Sequence, residues 1–213
     1  MMINKTKLSW QEPGNDFAID CELDIAIHPS NSNTILLIVP GVDGDIDGYK
    51  NKYLTIANNI VINHKVAVVR MANPFIGSQY WQSNVRMVLQ YIEDNAKAIC
   101  GNPSFILKIV GRSIGAYVVC QIAWEYPFID SILLINPATG IDLQPMAKGL
   151  LNYTGTTHIV IGSDDPAIKH IDLFKDMELS SNIELTVVDG ADHHFSGEHL
   201  ATFISLPSTV FFK

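Results

Sequence analysis

Residues 105–126 read FILKIVGRSIGAYVVCQIAWEY. The first six form a short apolar run rich in β-branched residues, the pattern of a strand covered on both faces. Gly111-Arg112-Ser113-Ile114-Gly115 follows at once, and residues 114–126 are compatible with a helix. A serine at such a junction sits on a tight, strained turn. The flanking glycines supply the room, because a Cβ at either place would collide with the neighbouring strand or helix. The turn lifts the hydroxyl to the top of a sheet and aims the amides of the helix N-terminus at the same space. A plainer reading is a helix N-cap serine between two turn glycines. The G-x-S-x-G pattern arises often by chance, and the motif alone leaves both readings open.

Outward from this stretch the same unit recurs. Apolar runs at 34–39 (TILLIV), 65–70 (KVAVVR), 131–136 (SILLIN), 157–161 (THIVI) and 183–188 (IELTVV) alternate with helix-compatible stretches at 49–64, 79–100 and 167–177. Alternating strands and helices predict an α/β fold, a mostly parallel central sheet with helices on both faces. Residues 17–28 (FAIDCELDIAIH) differ, because Asp20, Glu22 and Asp24 interleave with Ile19, Cys21, Leu23 and Ile25. That alternation predicts an antiparallel N-terminal edge strand, joined to the sheet by a turn at 29–33. No internal repeat, low-complexity stretch or long linker breaks the pattern, so a single domain over residues 1–213 is expected.

Composition narrows the function. Apolar residues make up 47% of the 213 and charged residues 17%, the opposite of a disordered chain. A formal net charge of −8 leaves no electrostatic footprint for nucleic acid. The apolar runs are strand-sized, far short of the roughly 18 residues a membrane helix needs. The first ten residues, MMINKTKLSW, lack the apolar core of a signal peptide. Cys21, Cys100 and Cys120 are odd in number and without CxxC spacing, which favours reduced, buried thiols in a cytoplasmic protein. No cofactor, metal, membrane or nucleic-acid partner is expected, and the oligomeric state carries no sequence signature.

In sheets of this kind chemistry sits in the loops beyond the carboxyl ends of the strands. Four such loops carry reactive residues: 40–48 (PGVDGDIDG), 111–115, 162–166 (GSDDP) and 189–195 (DGADHHF). A serine hydroxyl is a poor nucleophile and needs an adjacent base, itself oriented by a carboxylate. Asp164 and Asp165 follow one later strand and His193 and His194 the next, giving the chain order Ser, Asp, His. Adjacent residues on a loop can each point into a site, so the residues alone leave both doublets open.

In this order, with the G-x-S-x-G, GSDD and GADHHF turns and the PG after Val39, the chain resembles the α/β-hydrolase superfamily from about residue 16 to 206. The likeness is to compact serine esterases and thioesterases without a large cap domain. It implies that Ser113 is the nucleophile, that Asp165, three residues after Gly162, is the acid, and that His193, after Gly190-Ala191-Asp192, is the base. Asp164 then becomes a neighbour, expected to cap the helix starting near Pro166. His194 stands where the family usually has an aromatic residue. The resemblance further implies an oxyanion hole from the amides of Val42 and Ile114, with Pro40 in place of the usual histidine. The implied partner is a small-molecule ester or thioester of a small to medium acyl group. An amidase or peptidase, a lyase, or a non-catalytic ligand-binding protein on the same scaffold are the alternatives. Dehalogenases of this fold need a carboxylate where Ser113 stands. Dienelactone hydrolases match in size but usually place cysteine there.

Arg112, Phe75, Tyr80 and Trp81 border the expected site as candidates for a substrate pocket, against a structural ion pair for Arg112 and core packing for the aromatics. Asp43, Asp45, Asp47 and Gly48 imitate the start of an EF-hand loop, but position twelve is Leu54 in place of the required glutamate. The expectation is instead an acidic, glycine-rich loop at the positive end of the helix from about Tyr49. Residues 137–155 have room for one short helix at 146–152, a lid-like segment and not a cap domain, so an open site is expected. Asp43, Asp45, Asp47, Asp164, Asp165, Asp189 and Asp192 all fall on loops at this end, which favours neutral or cationic substrates over anionic ones. His28, His64, His158, His170 and His199 lack paired zinc spacing and read as structural or surface residues.

Overall fold

The computed structural model describes residues 3–178 and 182–212. Its strands are β1 (Asn4–Glu12), β2 (Ile19–His28), β3 (Thr34–Val39), β4 (Ala67–Met71), β5 (Ile106–Arg112), β6 (Ile129–Ile135), β7 (Thr156–Gly162) and β8 (Ile183–Val188). They form one sheet in the order β1-β2-β4-β3-β5-β6-β7-β8. β1 runs antiparallel to β2 and β2 antiparallel to β4, while every pairing from β4 to β8 is parallel. The expected mostly parallel sheet with an antiparallel edge is therefore the observed one.

The helices are α1 (Lys52–His64), α2 (Trp81–Cys100), α3 (Ile114–Ile122), α4 (Gln144–Asn152), α5 (Ile171–Glu178) and α6 (His199–Phe211). All six residues of β3 are buried, and successive side chains point to opposite faces. Ile35, Leu37 and Val39 pack into the layer formed by α2, α3, α4 and α5. Leu36 and Ile38 pack into the layer formed by α1 and α6, against Ile56, Ile60 and Phe203. Each such fully buried side chain stabilises the fold by about 1.5–3 kcal/mol, which is why the continuous apolar runs become the central strands.

Two elements lie outside the sequence periodicity. β1, NKTKLSWQE, is mostly exposed and carries no apolar run; its ladder with β2 and the packing of Leu8 and Trp10 against the core hold it in place. α6 contains Pro207, a residue that weakens any helical expectation, yet Phe203 and Leu206 bury against α1. The stretch at 49–64 divides into a one-turn 3-10 helix and α1, because Lys50 and Asn51 take left-handed backbone conformations. The stretch at 167–177 divides similarly, with a 3-10 segment at Pro166–His170 before α5. α4 is not a lid. Met146 and Leu150 are buried, and Gly149 packs against the backbone of Cys120 and Gln121 at the end of α3, which makes it part of the helical layer. Among the described residues no helix is long and apolar enough to cross a membrane.

Candidate active site

The junction of β5 and α3 is built around one strained residue. Ser113 has φ 54° and ψ −122°, a conformation that costs on the order of 1–3 kcal/mol and persists only where the surroundings enforce it. Its amide donates to the Ile135 carbonyl at 3.1 Å, and its carbonyl accepts from Tyr117 at 3.0 Å and Ala138 at 3.2 Å. The glycines answer a packing need. A Cβ on Gly111 would lie 2.8 Å from the Ala116 Cα, and one on Gly115 would strike the carbonyls of Pro40 and Val39.

His193 comes to this serine from the turn after β8, 80 residues further along the chain. Its Nε2 lies 3.0 Å from the Ser113 Oγ, and its Nδ1 is bonded to the Oδ2 of Asp165. Asp165, from the turn after β7, is only 2% exposed, and its Oδ1 accepts from the Ala167 amide at 2.6 Å. The cap expected of Asp164 is thus Asp165 itself: Asp164 is exposed, and one buried carboxylate both starts the 3-10 segment and meets the histidine. His194 is exposed and turned away, with its Nδ1 2.9 Å from the Arg112 guanidinium.

The histidine turn is held from several sides. Asp192 Oδ1 accepts from the amides of His194 (2.9 Å) and Ser196 (2.8 Å), and these bonds hold its carboxyl below the usual range. Phe195 anchors the turn with a fully buried ring and a backbone at φ 52°. Asn136, fully buried after β6, reaches both the histidine turn and the end of β7.

The loop after β3 passes directly over the serine. A Cβ on Gly41 would lie 3.2 Å from the Ser113 Cβ, so the Gly41–Val42 peptide is a neighbour of the hydroxyl. Asn73 fixes this loop: its amide group donates to the Pro40 carbonyl at 3.1 Å, and its backbone exchanges bonds with Asp43 (2.8 Å) and Gly44 (2.9 Å). Buried Asn84 holds Asn73 in turn, at 2.9 Å. Ile114 is the first residue of α3, where the helix offers its amide no acceptor. The Val42 and Ile114 amides therefore belong to the two segments that flank Ser113. The acidic loop beyond spends its carboxylates locally. Asp45 accepts from the amides of Asp47 and Gly48, Asp43 from that of Phe75, and Asp47 pairs with buried Arg70.

A cavity of about 380 Å³ opens beside Ser113 and His193, lined further by residues 137–141, Asp165, Pro166 and Ala167. The aromatic candidates are not brought into it. Tyr80 is buried and its hydroxyl donates to the Pro13 carbonyl at 2.7 Å. Trp81 lines an adjoining cavity of about 250 Å³ with Gln82, Tyr117 and Gln121, which meets the first at Ile141, and Phe75 leans on Trp81 with ring centroids 6.3 Å apart. The reason is that the 3-10 turn at Ser78–Tyr80 runs straight into α2, which packs beside α3 and not over the serine. Arg112 does not face the cavity either; its Nη2 donates to the His193 carbonyl and the His194 ring, both at 2.9 Å. Asn73, Asn84 and Asn136 carry no sequence signal, since an isolated asparagine after a strand (Asn73, Asn136) reads as a turn residue and one in a helix (Asn84) as a surface residue.

No protein-family model and no curated protein matches the chain in sequence. Solved structures match it in fold. Carboxyl esterase 2 from Tuber melanosporum superposes with a TM-score of 0.70 at 13% identity, over 96% of this chain and 84% of that one. Dienelactone hydrolase from Anabaena variabilis gives 0.66 at 14%, over 97% of each chain. Alpha/beta hydrolase domain-containing protein 10 from mouse gives 0.64 at 12%, over 95% of this chain and 97% of that one. At such identities the likeness is one of fold.

Proposed function

The chain has the α/β-hydrolase fold, and on that premise we propose that it is a serine hydrolase acting on an ester or thioester of a small to medium acyl group. One observation carries this reading: Ser113 Oγ lies 3.0 Å from His193 Nε2 while the opposite ring nitrogen is bonded to the buried carboxylate of Asp165. In the proposed reaction His193 takes the Ser113 proton as the oxygen attacks the carbonyl. The amides of Val42 and Ile114 hold the oxyanion, and Asp165 fixes the imidazole tautomer and stabilises the imidazolium. His193 then returns the proton to the leaving group, and water cleaves the acyl-enzyme by the same route in reverse.

The cavity supports a neutral acyl group. Among the described residues, Asp165 and His193 are the ionisable side chains in its wall, and both are committed to the relay. The acidic loops nearby point the same way. Two of the matched structures are named as an esterase and a dienelactone hydrolase, which accords with an acyl-transfer chemistry.

A fluorophosphonate probe tests the proposal. Wild-type protein is expected to label on Ser113 and Ser113→Ala to remain unlabelled. An unlabelled wild type, or equal labelling of both, overturns it and returns the chain to a ligand-binding role. Turnover of matched ester, thioester and amide panels then separates esterase, thioesterase and amidase.

A further inference from the structure

Arg112 lies between β5 and Ser113, and its guanidinium touches two loops of the site. On one side a Cβ at Gly41 would stand 3.3 Å from its Nη1, so the group underlies the loop after β3. On the other, Nη2 reaches the His193 carbonyl and the His194 Nδ1, both at 2.9 Å. A guanidinium has only donors and keeps its charge at any ordinary pH. The His194 Nδ1 must therefore be an acceptor, which leaves the ring neutral with its proton on Nε2. Burial, then Arg112, His193 and Lys52, hold the His194 pKa below its ordinary value, and Asp192 opposes them.

We propose that Arg112 is a positioning residue that determines which of the two adjacent histidines serves Ser113. One guanidinium nitrogen ties the His193 carbonyl to the His194 ring, which fixes the turn with the His193 ring spanning Ser113 and Asp165 and the His194 ring outside. This rests on the serine-hydrolase reading, deepening it, since Arg112 does not line the cavity beside Ser113 and would act through the loops it holds, the histidine turn above all. Displacing a catalytic group by about 1 Å costs on the order of a hundredfold in rate, and the loss falls on kcat because ground-state binding is untouched.

Ring-nitrogen NMR on histidine-labelled full-length protein and steady-state kinetics together form the test. His194 is expected as the Nε2–H tautomer in the wild type and as a mixture in Arg112→Met. Arg112→Met is expected to lower kcat about a hundredfold with KM held within roughly twofold. Arg112→Lys, which keeps the charge and a single donor nitrogen but not the planar fork, is expected to recover part of that loss. An Nδ1–H tautomer at His194 in the wild type overturns the proposal, as does an Arg112→Met kcat within about threefold of wild type. If Arg112→Met fails to fold, Arg112→Lys decides the matter: unchanged kcat and unchanged His194 signals overturn the proposal, and a kcat-only loss upholds it. The NMR readout is independent of turnover. A wild type that shows the expected tautomer but no fluorophosphonate labelling removes the hydrolase reading and leaves the clamp, whereas labelling with the wrong tautomer removes the clamp alone.

Discussion

The side-chain amide of Asn136 donates to the Asp192 carbonyl at 3.0 Å, fastening the end of β6 to the turn that carries His193. The same side chain accepts from the Gly162 amide at 2.8 Å, so the loops after β6, β7 and β8 converge on one fully buried residue. Its backbone, at φ 44°, lies in the left-handed region that asparagine tolerates better than most residues.

Asn136→Leu is expected to destabilise the protein by about 2–6 kcal/mol, because it leaves two polar groups without partners at roughly 1–3 kcal/mol each. Urea unfolding measures this. A loss under about 1 kcal/mol would mean that water or a rearranged loop satisfies both groups.

Ser113→Gly is expected to abolish fluorophosphonate labelling while raising stability by about 1–2 kcal/mol, since glycine adopts φ 54° without steric cost. Ser113→Ala, which keeps a Cβ in the same conformation, should not share the gain. Equal unfolding midpoints for the two variants would show that the turn stores no strain.

His28 is fully buried and accepts from Arg70 Nε at 3.1 Å, a bond that requires a neutral ring. Burial, with Arg70 adding to it, pushes its pKa down from 6.5 to about 4. The folded chain therefore binds fewer protons there than the unfolded chain. The contribution is full above pH 6.5 and is lost as the pH falls toward 4, amounting to about 3 kcal/mol at most. His28→Gln, which retains an acceptor for Arg70, is expected to flatten this slope. A pH–stability curve with the same steepness as wild type would exclude His28 as its source.

Lys52 is 3% exposed, with its ammonium 4.2 Å from the Phe203 ring and 5.4 Å from the Tyr53 ring. Burial, reinforced by the charge of Arg112, lowers its pKa from 10.5 to about 8. Wild-type stability should consequently rise as the pH passes from 8 to 10.5, where the folded chain has released a proton that the unfolded chain keeps. Lys52→Met is expected to lack this rise and to gain about 1–3 kcal/mol at pH 7, because a buried charge is replaced by an apolar side chain of similar length. A destabilised methionine variant would mean that the ring faces and Asp192 more than offset the burial.

The layered sheet was legible in the sequence because apolar runs such as TILLIV are short, rich in β-branched residues and bounded by turn residues, which together mark strands buried on both faces. β1 was not legible, since NKTKLSWQE is held mainly by backbone pairing, which carries no side-chain pattern, with only Leu8 and Trp10 packing on the core. The β5–α3 turn could be read because glycine is demanded on both sides of Ser113 by contacts with Pro40 and Ala116. The doublets Asp164-Asp165 and His193-His194 were different. The turn that carries the two histidines has a left-handed residue at Phe195 and hydrogen bonds from Arg112 and Asn136, and the end of β7 before the two aspartates is bonded to Asn136, partners too distant in sequence to be read from it. For the aromatic residues at 75, 80 and 81 the sequence leaves a substrate pocket and core packing both open, and the packing of α2 beside α3 places them outside the cavity at Ser113.

The 80-residue separation of Ser113 and His193 has a consequence for biosynthesis. At a ribosomal rate of roughly 5–20 residues per second, the serine turn precedes its histidine by about 4–16 s. During that interval the nascent chain holds β5 and α3 and gains the Asp165 turn, but the histidine turn is still missing, so the hydroxyl has no base beside it. Covalent labelling of Ser113 would then report the emergence of the histidine turn during translation. Stalled chains ending before β8 should remain dark, and the signal should switch on only once the turn after β8 has cleared the exit tunnel.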